Sequence, residues 1–336
     1  MKFLIAGAGA IGAYIGACMA HAGLDVTLFA RGPHLRAMQQ HGVQIKSPEG
    51  NFVARPAIAA SLAEVGPVDV VILGVKAHGL PQLAPQLNPV LGPDTTVVST
   101  QNGIPWWYFQ GFGGEWEGLR LERVDPAGVI SSAIPARQVV GSIIYFATEI
   151  SEPGVIQHTE GNRITLGEPD GTRSGRIRAI AEALIASGFR CPVTTRIRHE
   201  IWVKVLGNSS FNPVSALTRA TLTQMARDPG VCSVIRGIMQ EVEAVSLKLG
   251  MELPISIDQR IAGAEKVGEH KTSMLQDLEA GRPIELEALV GSVVELGERV
   301  GLPMTCTRTI YNCTKLLAQC AIRQQTQGRP SAANQI

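Results

Sequence analysis

From Met1 to about Thr195, short apolar runs rich in β-branched residues alternate with stretches of helical periodicity. Lys2–Ala6 (KFLIA), Asp25–Phe29 (DVTLF), Val68–Gly74 (VDVVILG) and Thr95–Thr100 (TTVVST) are apolar on both faces, the pattern of strands buried in a parallel sheet. Ala10–Ala22 and Pro33–His41 read as helices between them, so the order predicts βαβ units with right-handed crossovers. Two alternating runs, Val139–Glu149 and Gly154–Gly167, predict antiparallel strands added to that sheet, and Arg173–Ser187 predicts a helix.

Beyond Thr195 the period changes to 3.6, and helices are expected over Ile197–Phe211, Pro229–Leu249, Ser256–Val267, Leu286–Val300 and Pro303–Ile322. Gly250 and Gly301, each soon followed by proline, end two of them. Pro213 disfavours α conformation at Asn212 and is expected to end the first, leaving Asn212 at the helix terminus. The chain thus divides into an α/β domain over 1–195, an all-helical domain over 196–324 and a polar tail, 325–336, expected to be flexible.

A length of 336 residues suits about two domains. With 45% hydrophobic and 18% charged residues the chain is far from the composition of disorder. Its net charge of +1 gives no field that would draw it to nucleic acid or anionic lipid. No apolar run reaches membrane-spanning length, and the five glycines from Gly7 to Gly23 argue against reading the first segment as a signal peptide, so a cytoplasmic location is expected. The six cysteines show no C-x-x-C pair and no metal-ligand spacing. Cys306, Cys313 and Cys320 recur every seven residues and are expected to be small buried groups along one helix stripe.

The first strand runs directly into Gly7-Ala8-Gly9-Ala10-Ile11-Gly12, which opens an apolar helix. In that context Gly7 allows the tight turn, Gly9 admits a pyrophosphate to the backbone and Gly12 lets helix pack on strand. The free N–H groups of the helix start face the anion. A dinucleotide is therefore expected across residues 7–12. No acid occurs between Asp25 and Glu49 to hold a ribose 2′-hydroxyl; the second strand ends in Ala30-Arg31-Gly32 instead. Arg31 is placed to pair with a 2′-phosphate, which favours NADP over NAD, the bland alternative being a solvated surface arginine. Lys76 and Gln101-Asn102-Gly103 follow two further strands at the same sheet edge, where each could equally be a surface charge and a turn.

In the helical half, Lys204, Asn208 and Asn212 recur every four residues amid Trp202, Val205, Leu206 and Phe211. This is a polar strip in an apolar setting, either a site or a solvent-facing face. Ser273-Met274-Leu275-Gln276-Asp277 and then Glu285 form a second polar group; on pattern alone Glu285 is a first-turn carboxylate favoured by the helix dipole.

Taken together and in order, GAGAIG at 7–12, Arg31, Val75-Lys76, Gln101-Asn102-Gly103, the W-x-K-x-x-x-N-x-x-x-N-P run from Trp202 to Pro213, and SMLQD followed by Glu285 resemble the 2-dehydropantoate 2-reductase (ketopantoate reductase) family. The resemblance covers nearly the whole chain. It implies an NADP-binding Rossmann-type domain, an all-α 6-phosphogluconate-dehydrogenase-like C-terminal domain, and a substrate cleft between them. It further implies reduction of 2-dehydropantoate to pantoate, a step toward pantothenate and coenzyme A.

Carried over by position, Lys204 resembles the general acid and Glu285 the carboxylate that binds the substrate hydroxyl and balances Lys204. Asn208 and Asn212 look like substrate partners, Ser273 like a contact to the substrate carboxylate, Lys76 like part of the cofactor site, and Asn102 like a bridge between cofactor and substrate. Physical chemistry supports the lysine: reducing a ketone builds negative charge on oxygen, which a positioned ammonium stabilises and protonates. No metal is implied.

The chain departs from the family at His270, where asparagine is common, and in the long segment from Ile104-Pro105-Trp106-Trp107-Tyr108 to Gln138. That segment is expected to be either a lid or an oligomer contact surface. These departures motivate a second reading, a reductase of another 2-oxo acid; a third, an NADP-binding regulator without turnover, is disfavoured by Lys204 and Glu285. A homodimer is expected from the apolar run Ala288–Leu296 (ALVGSVVEL).

Overall fold

The computed structural model describes residues 1–327. The chain separates into two compact units, Met1–Glu200 and the residues from Ile201 onward.

The first unit is built on one nine-stranded sheet. Its elements in chain order are β1 (Lys2–Ala6), α1 (Ala10–His21), β2 (Asp25–Phe29), α2 (Gly32–His41), β3 (Val43–Lys46), β4 (Phe52–Ala54), β5 (Ala57–Ala59), β6 (Val68–Leu73), α3 (Leu80–Leu83), β7 (Leu91–Ser99), α4 (Val129–Ala133), β8 (Val139–Glu152), β9 (Val155–Gly167) and α5 (Gly175–Ala186). The strand order is β4-β3-β9-β8-β7-β6-β1-β2-β5. β1 lies between β2 and β6, both parallel to it, with Leu4 opposite Thr27 and Val71. Both faces of these strands are covered, which is why their sequences are continuously apolar rather than alternating. Ile15 and Met19 of α1 and Ile177 and Leu184 of α5 pack with Phe3 and Ile5 in one core.

The two late strands differ in part from the expectation. β8 and β9 are antiparallel to each other, but β8 joins the sheet parallel to β7, and β9 pairs in parallel with β3. The short strands β3, β4 and β5 carry no pattern long enough to show among Ser, Pro and Gly, and sequence reasoning missed them.

The aromatic start of the segment after β7 is packed into the interior, while the stretch around 111–120 is largely exposed. Ile104, Trp106, Trp107, Tyr108 and Phe109 are each at most 5% exposed. Trp107 fills the space left by Gly141 of β8, where a Cβ would stand 2.7 Å from the indole ring. The guanidinium of Arg198 donates to the carbonyls of Tyr108 and Gln110, both at 2.8 Å, and to that of Pro169. Glu117 accepts from the N–H groups of Gly113 and Gly111, at 2.6 and 2.8 Å, which hold its carboxyl below the usual carboxylate range. Arginine and carboxylate thus supply the hydrogen bonds that an irregular backbone cannot make with itself.

The second unit is helical: α6 (Ile197–Thr218, with the division between the units falling inside it), α7 (Leu222–Arg227), α8 (Pro229–Lys248), α9 (Ile257–Val267), α10 (Ser273–Glu279), a π-helical turn (Glu287–Gly291) leading into α11 (Ser292–Arg299), and α12 (Thr305–Gln327). α6 does not stop before Pro213. The proline lies inside it, because Val214 and Ala216 beyond it are buried and tertiary packing overrides the local preference. Asn212 is therefore inside a helix and not at its terminus. The helix ends instead at Arg219, whose φ of 64° breaks the repeat.

α12 opens on the carboxylate of Glu241, which accepts from the N–H groups of Cys306 (2.9 Å) and Thr307 (2.8 Å), an anion at a helix N-terminus. α12 continues to Gln327, past the expected end at Ile322, since no glycine or proline interrupts it before Gly328. The rest of the expected tail lies outside the described residues.

The cysteine stripe is corrected too. Met304, Thr307, Tyr311 and Thr314 form the buried face, leaving Cys306 half-buried and Cys313 and Cys320 exposed. The run Ala288–Leu296 is buried within this unit, so its apolar character is explained without a partner chain.

Arg198→Ala should release the Trp106–Phe112 segment. Three hydrogen bonds to a charged group are lost, so denaturant unfolding is expected to show a loss of about 3 kcal/mol, with altered tryptophan emission. An unchanged midpoint would show that the apolar packing alone holds the segment.

Candidate functional site

The turn from β1 to α1 is shaped by backbone approach. Gly7 adopts φ +104°, open to glycine at no steric cost. A Cβ on Gly12 would lie 2.3 Å from the carbonyl oxygen of Gly7, and one on Gly74, just past β6, 2.2 Å from the same oxygen. Gly9 is the N-cap of α1 and provides no side-chain cap, and the first turn carries no acid. The first N–H groups of α1 thus suit an anion.

Beside this turn lies a cavity of about 340 Å³, within the roughly 300–1,000 Å³ usual for small-molecule sites. Gly7, Ala8, Gly9, Phe29, Arg31 and His34 are among its lining residues. Ala10, Ile11, Gly12, Lys76 and Asn102 do not line it. Arg31 stands over the Phe29 ring at 5.2 Å and donates to Oε1 of Gln86 at 2.7 Å, which fixes the direction of its guanidinium.

His34 was missed by sequence reasoning. Its Nδ1 accepts from the N–H of Gly154 at 2.9 Å, so in the neutral ring Nε2 carries the proton. That Nε2 is buried near the backbone of Ala8 without a well-formed hydrogen bond. Burial lowers the imidazole's pKa below its ordinary 6.5. A cavity lined by the glycine turn, an arginine and an imidazole fits the phosphate-bearing end of a dinucleotide.

Lys76 and Asn102 follow the adjacent parallel strands β6 and β7, whose ends align at Leu73 and Ser99. Gln101 joins them, its Nε2 donating to the carbonyls of Leu73 (2.9 Å) and Val75 (2.8 Å). Gln101 and Gly74 shape this edge. Their signal was present, since each directly follows a buried strand, but a glutamine or glycine there is not distinctive without the partner strand.

In the second unit α6 carries Lys204, Asn208 and Asn212 on successive turns of one face, the first two half-buried and the last 5% exposed. The hydroxyls of Ser209 and Ser210 bond back to the carbonyls of Val205 and Leu206 and so are already satisfied. Glu285, immediately before Leu286 at the start of the helix leading into α11, is a carboxylate only 9% exposed. Ser273 opens α10 and is exposed, with Thr272 as the N-cap. His270 is half-buried, and its carbonyl accepts from Leu222 N–H, linking α7 to the segment before α10.

A family model described as ketopantoate reductase PanE/ApbA matches residues 3–171, and the corresponding C-terminal model matches residues 196–318. The chain is 47% identical over 319 residues to a 2-dehydropantoate 2-reductase of Mesorhizobium japonicum, covering 95% of this chain and 98% of that one. It superimposes with a TM-score of 0.91 and 38% identity on a crystal structure of a candidate ketopantoate reductase from Ralstonia solanacearum, covering 95% and 98% of the two chains. D-mandelate dehydrogenase, solved with NADH and anilino(oxo)acetate, shares the fold at TM-score 0.82 and 21% identity, covering 96% and 99%.

His34 generates a prediction about pH. Its folded pKa lies below 6.5, so its contribution to stability is complete above that value and is lost as pH falls toward the folded pKa. Unfolding measured at pH 7.5 and 5.5 should show a smaller loss on acidification in His34→Gln than in the parent. Equal losses would remove His34 as a source of acid sensitivity.

Proposed function

Because the chain belongs to the ketopantoate reductase family, an oxidoreductase family acting on CH–OH groups, we propose that it reduces the 2-oxo group of 2-dehydropantoate to give pantoate, with NADPH as hydride donor and Lys204 as proton donor. The observation that carries the reading is α6, which presents a half-buried lysine and two amides on one face in a protein whose other unit carries a dinucleotide-type glycine turn.

When bound, reduced nicotinamide would supply a hydride to C2 of the substrate. As the carbon–oxygen double bond becomes single, negative charge grows on the oxygen, and Lys204 stabilises it and transfers a proton from Nζ. Lysine suits the step because burial tunes its proton affinity, whereas arginine would keep its proton. Asn208 and Asn212 offer amides that orient the substrate on the same helix face. Glu285 binds the substrate hydroxyl and balances the lysine charge, and Ser273 adds a contact to the substrate. On the cofactor side Gly7, Ala8, Gly9, Ala10, Ile11 and Gly12 would take the pyrophosphate, Arg31 the 2′-phosphate, Lys76 would add a further cofactor contact, and Asn102 would bridge cofactor and substrate.

The selectivity for NADPH rests on Arg31 and on the lack of any acid from Val26 to Pro48 to bond a ribose 2′-hydroxyl. A second reading, reduction of another 2-oxo acid, is favoured by the half-buried His270. The proposal also has the chain as a cytoplasmic homodimer, supported by the exposed Leu316, Cys313 and Cys320 along α12. A sedimentation mass of a single chain would contradict the dimer.

Lys204→Ala should lower kcat for 2-dehydropantoate by about a thousandfold, within the range of general acid catalysis, and leave NADPH binding unchanged. A variant within tenfold of the parent would remove Lys204 as proton donor. Arg31→Ala should weaken NADPH by roughly 10- to 100-fold, the loss of a charge-assisted pair, with NADH nearly unaffected. Equal losses for both cofactors would contradict the 2′-phosphate assignment.

A further inference from the structure

α6 carries a glycine at 207, in mid-helix, where glycine is otherwise unfavourable. The space is taken by Arg260 of α9: a Cβ on Gly207 would stand 2.0 Å from its Nη2, 2.5 Å from Cζ and 2.6 Å from Nε. All three distances are short, so the guanidinium covers this point of the helix rather than touching it with one corner. Gly207 is three residues beyond Lys204 and adjacent to Asn208. A permanent cation therefore covers the helix beside the strip that bears the proposed proton donor.

The substrate's covalent geometry asks for such a group there. In a 2-oxo acid the carboxylate carbon is bonded directly to the carbonyl carbon. With the keto oxygen at Lys204, the carboxylate must fall within about one helical turn, and positions i and i+3 on a helix face are roughly 5–6 Å apart. A guanidinium is planar, stays protonated and matches a carboxylate with two parallel hydrogen bonds. Ser273 alone would leave the carboxylate charge uncompensated. We propose that Arg260 binds the substrate carboxylate and makes the enzyme selective for 2-oxo acid anions over neutral carbonyl compounds. The inference rests on the reading of Lys204 as proton donor and adds the group that recognises the substrate's charge.

The test measures binding to the protein–NADP⁺ complex, where no turnover occurs, of 2-dehydropantoate and of its neutral lactone, in the parent, Arg260→Ala, Arg260→Lys and Gly207→Ala. Arg260→Ala is expected to weaken the acid at least 30-fold and the lactone less than threefold, and to raise KM for the acid with kcat within about fivefold. Arg260→Lys should recover part of the loss. In Gly207→Ala the charge is kept and alanine is the better helix former, but the methyl group displaces the guanidinium, so the acid should again weaken more than the lactone. Equal weakening of acid and lactone by Arg260→Ala, or of neither, would overturn the proposal. If the parent bound another 2-oxo acid in an Arg260-dependent way but not 2-dehydropantoate, the assignment of the carboxylate would stand and the substrate reading would fall. If the parent bound no 2-oxo acid, both would fall.

Discussion

The carbonyl oxygen of Gly7 lies so close to the backbones of Gly12 and Gly74 that a side chain at either would meet it within 2.3 Å. Three chain segments, the end of β1, the first turn of α1 and the end of β6, are packed there backbone to backbone. Any Cβ would push α1 off the sheet, and with it Ile15 and Met19, which anchor the helix in the core. The start of α1 carries no side-chain cap, and Gly7, Ala8 and Gly9 of the turn before it line the cavity shared with Arg31 and His34. One steric constraint therefore sets both the packing of the sheet and the shape of a turn suited to an anion.

The helical unit uses a different device. α6 carries polar groups among apolar neighbours, and several of its hydroxyls are satisfied locally. Ser209 and Ser210 bond to carbonyls one turn back, and Ser215 Oγ donates to the carbonyl of Ala220 where the helix ends. Lys204, Asn208 and the buried Asn212 follow one another on successive turns of one face of that helix. The continuation through Pro213 matters here, because a helix extended to Thr218 holds Asn212 rigidly in register with Lys204 instead of leaving it on a frayed terminus.

Much of this was legible in the residues. The βαβ core declared itself through runs such as VDVVILG, which are apolar on both faces, and the glycine turn through its place between a strand and a helix. The four-residue spacing of Lys204, Asn208 and Asn212 showed that they share one helix face, and left open whether that face is a site or a solvated strip. What escaped were features that exist only after folding. His34 is an ordinary helix residue until Gly154, 120 residues away, fixes its tautomer. Gly74 matters only because β6 ends against the first turn, and Gly207 only because Arg260 lies over it. The aromatic run at Trp106–Phe109 suggested a surface device, yet Arg198 ties it into the interior through carbonyls that no sequence pattern marks. The cysteine repeat misled because a seven-residue period defines a stripe but not which side of α12 is buried.

The most direct test of the account follows the hydride itself. Incubating the protein with 2-dehydropantoate and NADPH deuterated at C4 of the nicotinamide ring, one C4 epimer at a time, and then analysing the product by mass spectrometry, asks whether this chain moves that atom to that carbon. Pantoate bearing one deuterium at C2 from one of the two epimers is the predicted result. Absence of pantoate, or pantoate without the label from either epimer, would contradict direct hydride transfer and with it the central claim.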